Sequence, residues 1–182
     1  MWLWFSKDNK AQWKEPCVYI YVQGIIGALE LIFGASQYSC QVDIWSLGCI
    51  IAELFPGKDS SDQLAEIIKV LGTPTKEEIY KMNPECKDKV FPVIQSFPWE
   101  KVFKRRKVTE SYLDLISKLL IYDPDKRLTP LQAICHPFFD ELKDSKTVLP
   151  NGKSVPRELF EFTREEINSD QDSINKVLGQ LH

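Results

Sequence analysis

Few residues in this sequence have the types and spacing that catalysis or ligand binding requires. Gly57-Lys58-Asp59-Ser60 is similar to the end of a phosphate-binding loop, but no glycine precedes it at the spacing that such a loop needs. Ser60 is better explained as the N-cap of a helix. Asp123-Pro124-Asp125 lacks the glycine of a calcium loop, and the dinucleotide-binding, zinc-protease and serine-hydrolase motifs do not occur. Motifs alone therefore identify no active site.

Cysteine, histidine and basic residues give equally weak signals. The five cysteines form no Cys-x-x-Cys pair and only two histidines accompany them, so we expect neither a disulfide scaffold nor a zinc module. His136 precedes Pro137-Phe138-Phe139, and we interpret it as a structural histidine. The run Lys104-Arg105-Arg106-Lys107 could bind phosphate or an import receptor, but short runs of charge are usually solvated loops. We favour the solvated loop.

Length and composition are typical of a globular chain that forms one domain or part of one. The 182 residues are enough to bury a core, and 43% of them are apolar and 27% charged. A net charge of −3 disfavours bulk capture of nucleic acid. No apolar segment reaches the ~18 residues of a membrane-spanning helix, and Met1-Trp2-Leu3-Trp4-Phe5 lacks the basic region of a signal peptide. We expect a cytoplasmic location, with the nucleus as a second compartment, and neither nucleic acid nor membrane as a partner.

Helix caps and apolar periodicity predict a mainly α fold with long ordered loops. Capping boxes predict helix starts at Ser60, Thr75, Thr129 and Thr163, and a single-residue cap predicts another at Thr109. The helix after Ser60 should end at Gly72, a residue type that commonly follows a helix. No segment has the alternating pattern of a strand.

Three other segments have a distinct character. The helix predicted from Asp43 to Leu54 is apolar nearly all round, so other elements must wrap it. Three prolines predict irregular structure over residues 84–98. A last helix is predicted after Thr163, and its apolar side comprises Ile174, Val177, Leu178 and Leu181.

Several segments together resemble the back half of a protein-kinase C-lobe. They are Ala28-Leu29-Glu30-Leu31-Ile32-Phe33-Gly34, Asp43-Ile44-Trp45-Ser46-Leu47-Gly48-Cys49, Arg127-Leu128-Thr129 and His136-Pro137-Phe138-Phe139. Longer segments are similar to glycogen synthase kinase 3, the shaggy family of Ser/Thr protein kinases. These are Glu66-Ile67-Ile68-Lys69-Val70-Leu71-Gly72-Thr73-Pro74-Thr75, Met82-Asn83-Pro84, Phe138-Phe139-Asp140-Glu141-Leu142 and Leu149-Pro150-Asn151-Gly152. The resemblance runs from about Phe5 to Phe162.

The resemblance implies the lower, C-terminal lobe of the kinase fold, incomplete and without an N-lobe. Residues 1–35 would be a degenerate activation segment, residues 36–162 the helices F to I with a group-specific insert, and residues 163–182 a C-terminal tail with a potential helix. It also implies structural positions at Glu30, Asp43, Trp45, Gly48 and Arg127. Glu30 would form a partly buried bidentate pair with Arg127, and two unpaired surface charges are the alternative. Asp43 would hold the catalytic-loop backbone, or serve solely as an N-cap.

Most parts that phosphoryl transfer needs have no counterpart in these residues. The chain has no Gly-rich loop, no Val-Ala-Ile-Lys segment and no His-Arg-Asp loop, and Trp4 falls at the position of the metal-binding aspartate. Ile20 stands at the activating tyrosine, and Gly24 and Gly27 replace arginines. Asn9 replaces a lysine of the family's pocket for pre-phosphorylated substrates. We therefore predict no catalytic residue, cofactor or metal for this chain, although the family uses ATP and magnesium.

The resemblance also implies a partner surface. In the family, a groove between the G helix and the insert receives an amphipathic helix from scaffold proteins. The candidate groove residues are Leu64, Ala65, Cys86 and Phe91, and Ser61 and Lys89 stand at further matching positions. Alternatively, Leu64 and Phe91 only pack the lobe.

Three interpretations of function follow. In the first, the chain is the C-lobe of a shaggy-type Ser/Thr kinase that does not catalyse transfer by itself, and protein substrates belong only to a full kinase. In the second, it is a pseudokinase-like module that binds scaffold helices. In the third, it is an incomplete product with no independent function, for which we expect exposed apolar surface around Trp45 and Ile50.

Overall fold

The computed structural model describes residues 27–55 and 59–181, which are built from helices joined by long loops. The α-helices of this part are α1 (Leu29–Ile32), α2 (Gln41–Ala52), α3 (Ser60–Leu71), α4 (Lys76–Met82), α5 (Trp99–Val102), α6 (Glu110–Leu119), α7 (Pro130–Ile134), α8 (Asp140–Lys143), α9 (Arg164–Ser169) and α10 (Gln171–Gly179). Short 3-10 helices occupy Pro84–Cys86, Pro124–Lys126, Pro137–Phe139 and Arg157–Phe160. An isolated bridge joins Val148 and Ser154. The predicted mainly α fold is confirmed.

Side-chain caps start four of these helices as the sequence predicts. The capping residues are Thr75, Thr109, Thr129 and Thr163. At α4, the Thr75 hydroxyl accepts a hydrogen bond from the Glu78 N–H at 3.2 Å, and the Glu78 carboxylate accepts one from the Thr75 N–H at 2.8 Å. Equivalent boxes start α7 and α9. Each box satisfies two backbone donors that would otherwise lack a partner.

The start of α3 differs from the prediction. Asp59, not Ser60, is the N-cap, and its carboxylate accepts hydrogen bonds from the N–H groups of Ser61 and Asp62, both at 2.9 Å. A carboxylate caps as well as a hydroxyl does, and its charge also interacts favourably with the helix dipole, which explains the shift by one residue. The predicted end is confirmed, because Gly72 follows α3 with a φ of +84°.

The start of α2 also differs from the prediction. The helix begins at Gln41, with Cys40 as its N-cap. Asp43 therefore lies inside the first turn, where its N–H already donates to the Cys40 carbonyl at 3.1 Å. The interpretation of Asp43 as an N-cap is wrong for this reason.

Helix α2 packs in the core against α6 and the residues that follow it. Gly48 permits this close approach, because a Cβ at that position would lie 2.8 Å from Leu120 Cδ2 and 3.1 Å from Leu119 Cβ. Trp45 is fully buried and stacks on Phe55, with ring centroids 6.1 Å apart. A larger side chain at position 48 would force the two elements apart.

One side of α2 remains open to solvent. Ile50 is 59% exposed and Leu47 is 37% exposed. An apolar cleft of about 270 Å³ lies beside Leu47. The expectation of exposed apolar surface is confirmed at Ile50 and wrong at Trp45, because Phe55 stacks on the indole and the Arg127 guanidinium lies over it.

The irregular segment of residues 84–98, called the insert below, is fixed to the end of α3. The Thr73 N–H donates to the Ile94 carbonyl at 2.9 Å, and the Ile94 N–H donates to the Thr73 hydroxyl at 2.8 Å. Gly72 is required at this contact, because a Cβ there would lie 2.8 Å from the Ser96 nitrogen. The insert is therefore irregular in conformation but tied to the helix before it.

Of the last two helices, α10 packs onto the rest of the described fold. The sequence predicted one helix here, but Asp170 separates α9 from α10 and caps α10 by accepting from the Ser173 N–H at 3.0 Å. Ile174 and Val177 of α10 are fully buried, and the helix contacts α7. Leu178 remains exposed. The apolar side predicted from the sequence is thus buried only in part.

No helix in the described part of the chain combines the length and the apolar character that crossing a bilayer demands. Among the same residues, no three His, Cys, Asp or Glu side chains are grouped so that they could hold a metal ion.

Candidate functional site

Glu30 and Arg127, which are 97 residues apart in the sequence, form a bidentate ion pair. Arg127 Nη1 donates to Glu30 Oε1 at 2.8 Å, and Nη2 donates to Oε2 at 2.9 Å. The Arg127 side chain is 0% exposed and that of Glu30 is 5% exposed. The contact that the resemblance implies is therefore present, and the alternative of two unpaired surface charges is wrong.

The buried guanidinium has an acceptor for every one of its donors. Its Nε donates to the Ile121 carbonyl at 2.8 Å, and the remaining Nη protons reach the carbonyls of Gln41 at 2.9 Å and Tyr122 at 3.3 Å. With the two bonds to Glu30, these account for all five N–H donors of an arginine. Because burial of an unpaired charge is very costly, this complete set of acceptors is what makes the site stable.

A short turn delivers Arg127 to the site. The Asp123 carboxylate accepts a hydrogen bond from the Asp125 N–H at 3.1 Å and starts the 3-10 helix Pro124–Lys126. Pro124 stands at the first helical position, where its missing N–H is not needed. The chain then becomes extended at Arg127. The motif Asp123-Pro124-Asp125 therefore acts as a turn that orients the guanidinium.

The first turns of α2 form one wall of the ion-pair site. The Arg127 guanidinium lies over the Trp45 ring, with Cζ 5.0 Å from the ring centroid. Trp45 Nε1 and Gln41 Oε1 are buried and have no hydrogen-bond partner among residues 27–55 and 59–181. Asp43 is exposed as a residue, but partial burial of its carboxyl raises its pKa above the usual value. Its implied role with a catalytic loop stays a prediction.

The candidate groove residues lie on α3 and the insert and differ in exposure. Ala65 is exposed, Leu64 and Phe91 are partly buried, and Cys86 is buried. The Cys86 thiol donates to the Phe33 carbonyl at 3.4 Å, and the Phe91 ring meets the Phe33 ring edge-on at a centroid distance of 5.9 Å. The structure thus brings Cys86 and Phe91 together at Phe33, and it leaves Ala65 on the surface.

Phe33 is the residue of this surface that the sequence analysis missed. Its carbonyl also accepts from Asn83 Nδ2 at 3.0 Å, and the Lys89 ammonium lies 5.2 Å from its ring centroid. Asn83 is 50 residues away in the sequence. No local pattern signals such a contact, because it depends on where the insert folds back onto α1.

His136 occupies a position consistent with its structural interpretation. Its Nε2 lies 2.8 Å from Asp114 Oδ2, and its Nδ1 accepts from the Phe138 N–H at 3.3 Å. Lys118 donates to the same Asp114 oxygen at 2.7 Å. The hydrogen bonds from Lys118 and then from His136 lower the pKa of the Asp114 carboxyl. Both ring nitrogens are thus engaged within the fold.

Several positions of the sequence analysis lie outside the described residues. They are Trp4, Asn9, Ile20 and Gly24 of the predicted activation segment, and Gly57 and Lys58 of the segment that is similar to a phosphate-binding loop.

Comparison with known families identifies the class of protein. Residues 27–139 match the family model of the protein kinase domain. The match spans more than half of the 182 residues and contains both partners of the buried ion pair. The chain therefore belongs to the protein kinase family. Its described helices have the fold of the lower lobe of that domain, as the resemblance predicted.

The ion pair leads to a stability prediction. Replacing Arg127 by alanine leaves Glu30 as a buried, uncompensated charge, so we expect the free energy of unfolding to fall by about 3 kcal/mol or more. Urea denaturation followed by circular dichroism measures this loss.

The matched control is Lys81→Ala, which removes a surface pair with Asp125 at 2.8 Å, its side chains 44% and 73% exposed. We expect that change to cost less than about 1 kcal/mol. Equal losses for the two variants would contradict the role given to the buried pair.

Proposed function

We propose that the chain is the lower lobe of a Ser/Thr protein kinase of the glycogen synthase kinase 3, or shaggy, type. The observation that carries this proposal is the set of contacts made by Leu71-Gly72-Thr73-Pro74-Thr75. These residues belong to the longest segment that is similar to the shaggy family. Gly72 permits close approach of the insert, Thr73 fixes it by hydrogen bonds, and Thr75 caps α4. A segment characteristic of that family therefore positions the insert, which is also characteristic of the family.

The family activity implied by this assignment is transfer of a phosphoryl group from ATP to protein serine or threonine. We propose that these 182 residues do not perform it by themselves and bind neither ATP nor magnesium. The support comes from the sequence: no Gly-rich loop, no Val-Ala-Ile-Lys segment and no His-Arg-Asp loop occurs in it. The proposal concerns these residues alone, and protein substrates belong to a full kinase.

Nucleotide binding tests this proposal directly. A ligand at about 100 times its Kd stabilises a protein by about 2.7 kcal/mol, which raises Tm by several degrees. We expect ATP with magnesium to leave the Tm of the purified chain within about one degree of its value in magnesium alone. An intact Ser/Thr kinase in the same assay is the control. A rise of several degrees in the Tm of this chain would contradict the proposal.

A second function is favoured by exposed apolar residues on the insert, which carries part of the candidate groove. Val90 is 87% exposed and Val93 is 92% exposed, and both lie on the insert near the partly buried Phe91. Contiguous exposed apolar surface is a common feature of protein interaction sites. We propose that α3 and the insert bind the apolar face of an amphipathic helix, with Leu64 and Phe91 as anchors.

Peptide binding tests the groove. A fluorescently labelled amphipathic helix with leucines at i, i+3, i+4 and i+7 should bind the chain, and Leu64→Asp should weaken binding by about tenfold or more, because a carboxylate would be desolvated in the interface. The matched control is Leu178→Asp on α10, an exposed leucine outside the groove, which should leave affinity within about twofold. Urea denaturation of both variants checks that they fold. Equal affinities of the wild type and a folded Leu64→Asp variant would rule out this groove.

A further inference from the structure

The loop before α6 is strongly basic, although the chain as a whole is acidic. Four of the five residues 103–107 are Lys or Arg, in a chain of net charge −3. Residues 104–107 are all exposed, whereas Phe103 is buried and stacks on Trp99 with centroids 6.1 Å apart. The basic side chains are therefore displayed on the surface by a loop that is anchored at one aromatic residue.

Ion pairing leaves most of this charge available. Arg106 donates to the exposed Glu53 carboxylate at 2.6 Å, a surface pair of the kind that solvent and a competing partner readily replace. Among the described residues, no ion pair engages Lys104, Arg105 or Lys107. A partner with an acidic cleft would meet at least three free cations here.

Thr109 follows this loop directly and carries an exposed hydroxyl. Its Oγ1 accepts from the Tyr112 N–H at 3.1 Å and lies 3.0 Å from Ser111 Oγ. Residues 107–109 are outside any helix, and Val108 between them packs against the core, so extending the segment into a cleft releases one partly buried side chain. The cap bond lies at the surface, where water can replace it.

The other capping threonines lack this combination. Thr75 and Thr163 are exposed, but no run of basic residues precedes either of them. Thr129 follows Lys126 and Arg127, yet the Arg127 side chain is fully buried against Glu30. Among the capping threonines of the described chain, Thr109 is the one with an exposed hydroxyl and exposed cations before it.

We propose that Thr109 is a phosphate-acceptor site for a separate Ser/Thr kinase that selects basic substrate sequences. Charge patterns on the substrate are a principal source of kinase selectivity, and a run of cations just before the acceptor fits an acidic substrate cleft. The bond between the γ-phosphorus of ATP and its bridging oxygen breaks, and a bond from that phosphorus to Thr109 Oγ1 forms. ADP leaves, and the hydroxyl proton passes to the catalytic aspartate of that kinase. The proposal is independent of the function proposed above.

The test uses the full chain, ATP carrying labelled γ-phosphate, and a Ser/Thr kinase that selects basic sequences. Mass spectrometry should locate the phosphate on Thr109. Thr109→Asn keeps a good N-cap and removes the hydroxyl, so it should fold and lose this phosphate. Combined Lys104→Gln, Arg105→Gln and Lys107→Gln substitutions should slow incorporation by about tenfold or more.

A kinase that selects acidic sequences is the control. The acceptor that suits such a kinase is Thr163, because Glu165 and Glu166 follow it. It should leave Thr109 unlabelled. The proposal is overturned if the wild-type chain gains no phosphate on Thr109, if Thr109→Asn incorporates as much as the wild type, or if the triple glutamine variant is labelled as fast.

Discussion

The fold depends on satisfying one buried positive charge. An arginine removed from water must find an acceptor for each of its five N–H groups, and Arg127 finds two carboxylate oxygens and three backbone carbonyls. Those acceptors belong to α1, to the start of α2 and to the residues that follow α6. Because the guanidinium is rigid and planar, these three elements can hold it only in one relative arrangement.

The same short helix links this site to the candidate partner surface. In α1, Glu30 points into the ion pair, while Phe33 at its end contacts Asn83, Cys86 and Phe91 of the groove region. The position of the insert is therefore coupled to the position of the buried pair through four residues of helix. Among the described residues, Trp45 Nε1 and Gln41 Oε1 beside this pair are buried without a hydrogen-bond partner.

Local features of the fold could be predicted from the sequence, and contacts across the fold could be predicted only through resemblance. The capping boxes at Thr75 and Thr163 predict where their helices begin, because a capping box is a short-range interaction. The cap at Asp59 was missed because Ser60 competes with it one residue later. The Glu30–Arg127 pair spans 97 residues, so no periodicity or spacing indicates it. Phe33 illustrates the limit, since its place in the groove region depends on tertiary packing alone.

The central claim is that the Glu30–Arg127 interaction itself fastens α1 to the lobe. A double-mutant cycle with Glu30→Ala and Arg127→Ala, read as free energies of unfolding, isolates that interaction from the packing lost in each single variant. We predict a coupling energy of about 2 kcal/mol or more, against less than about 0.5 kcal/mol for the exposed Lys81–Asp125 pair. A coupling energy for Glu30 and Arg127 as small as that of the surface pair would contradict the claim.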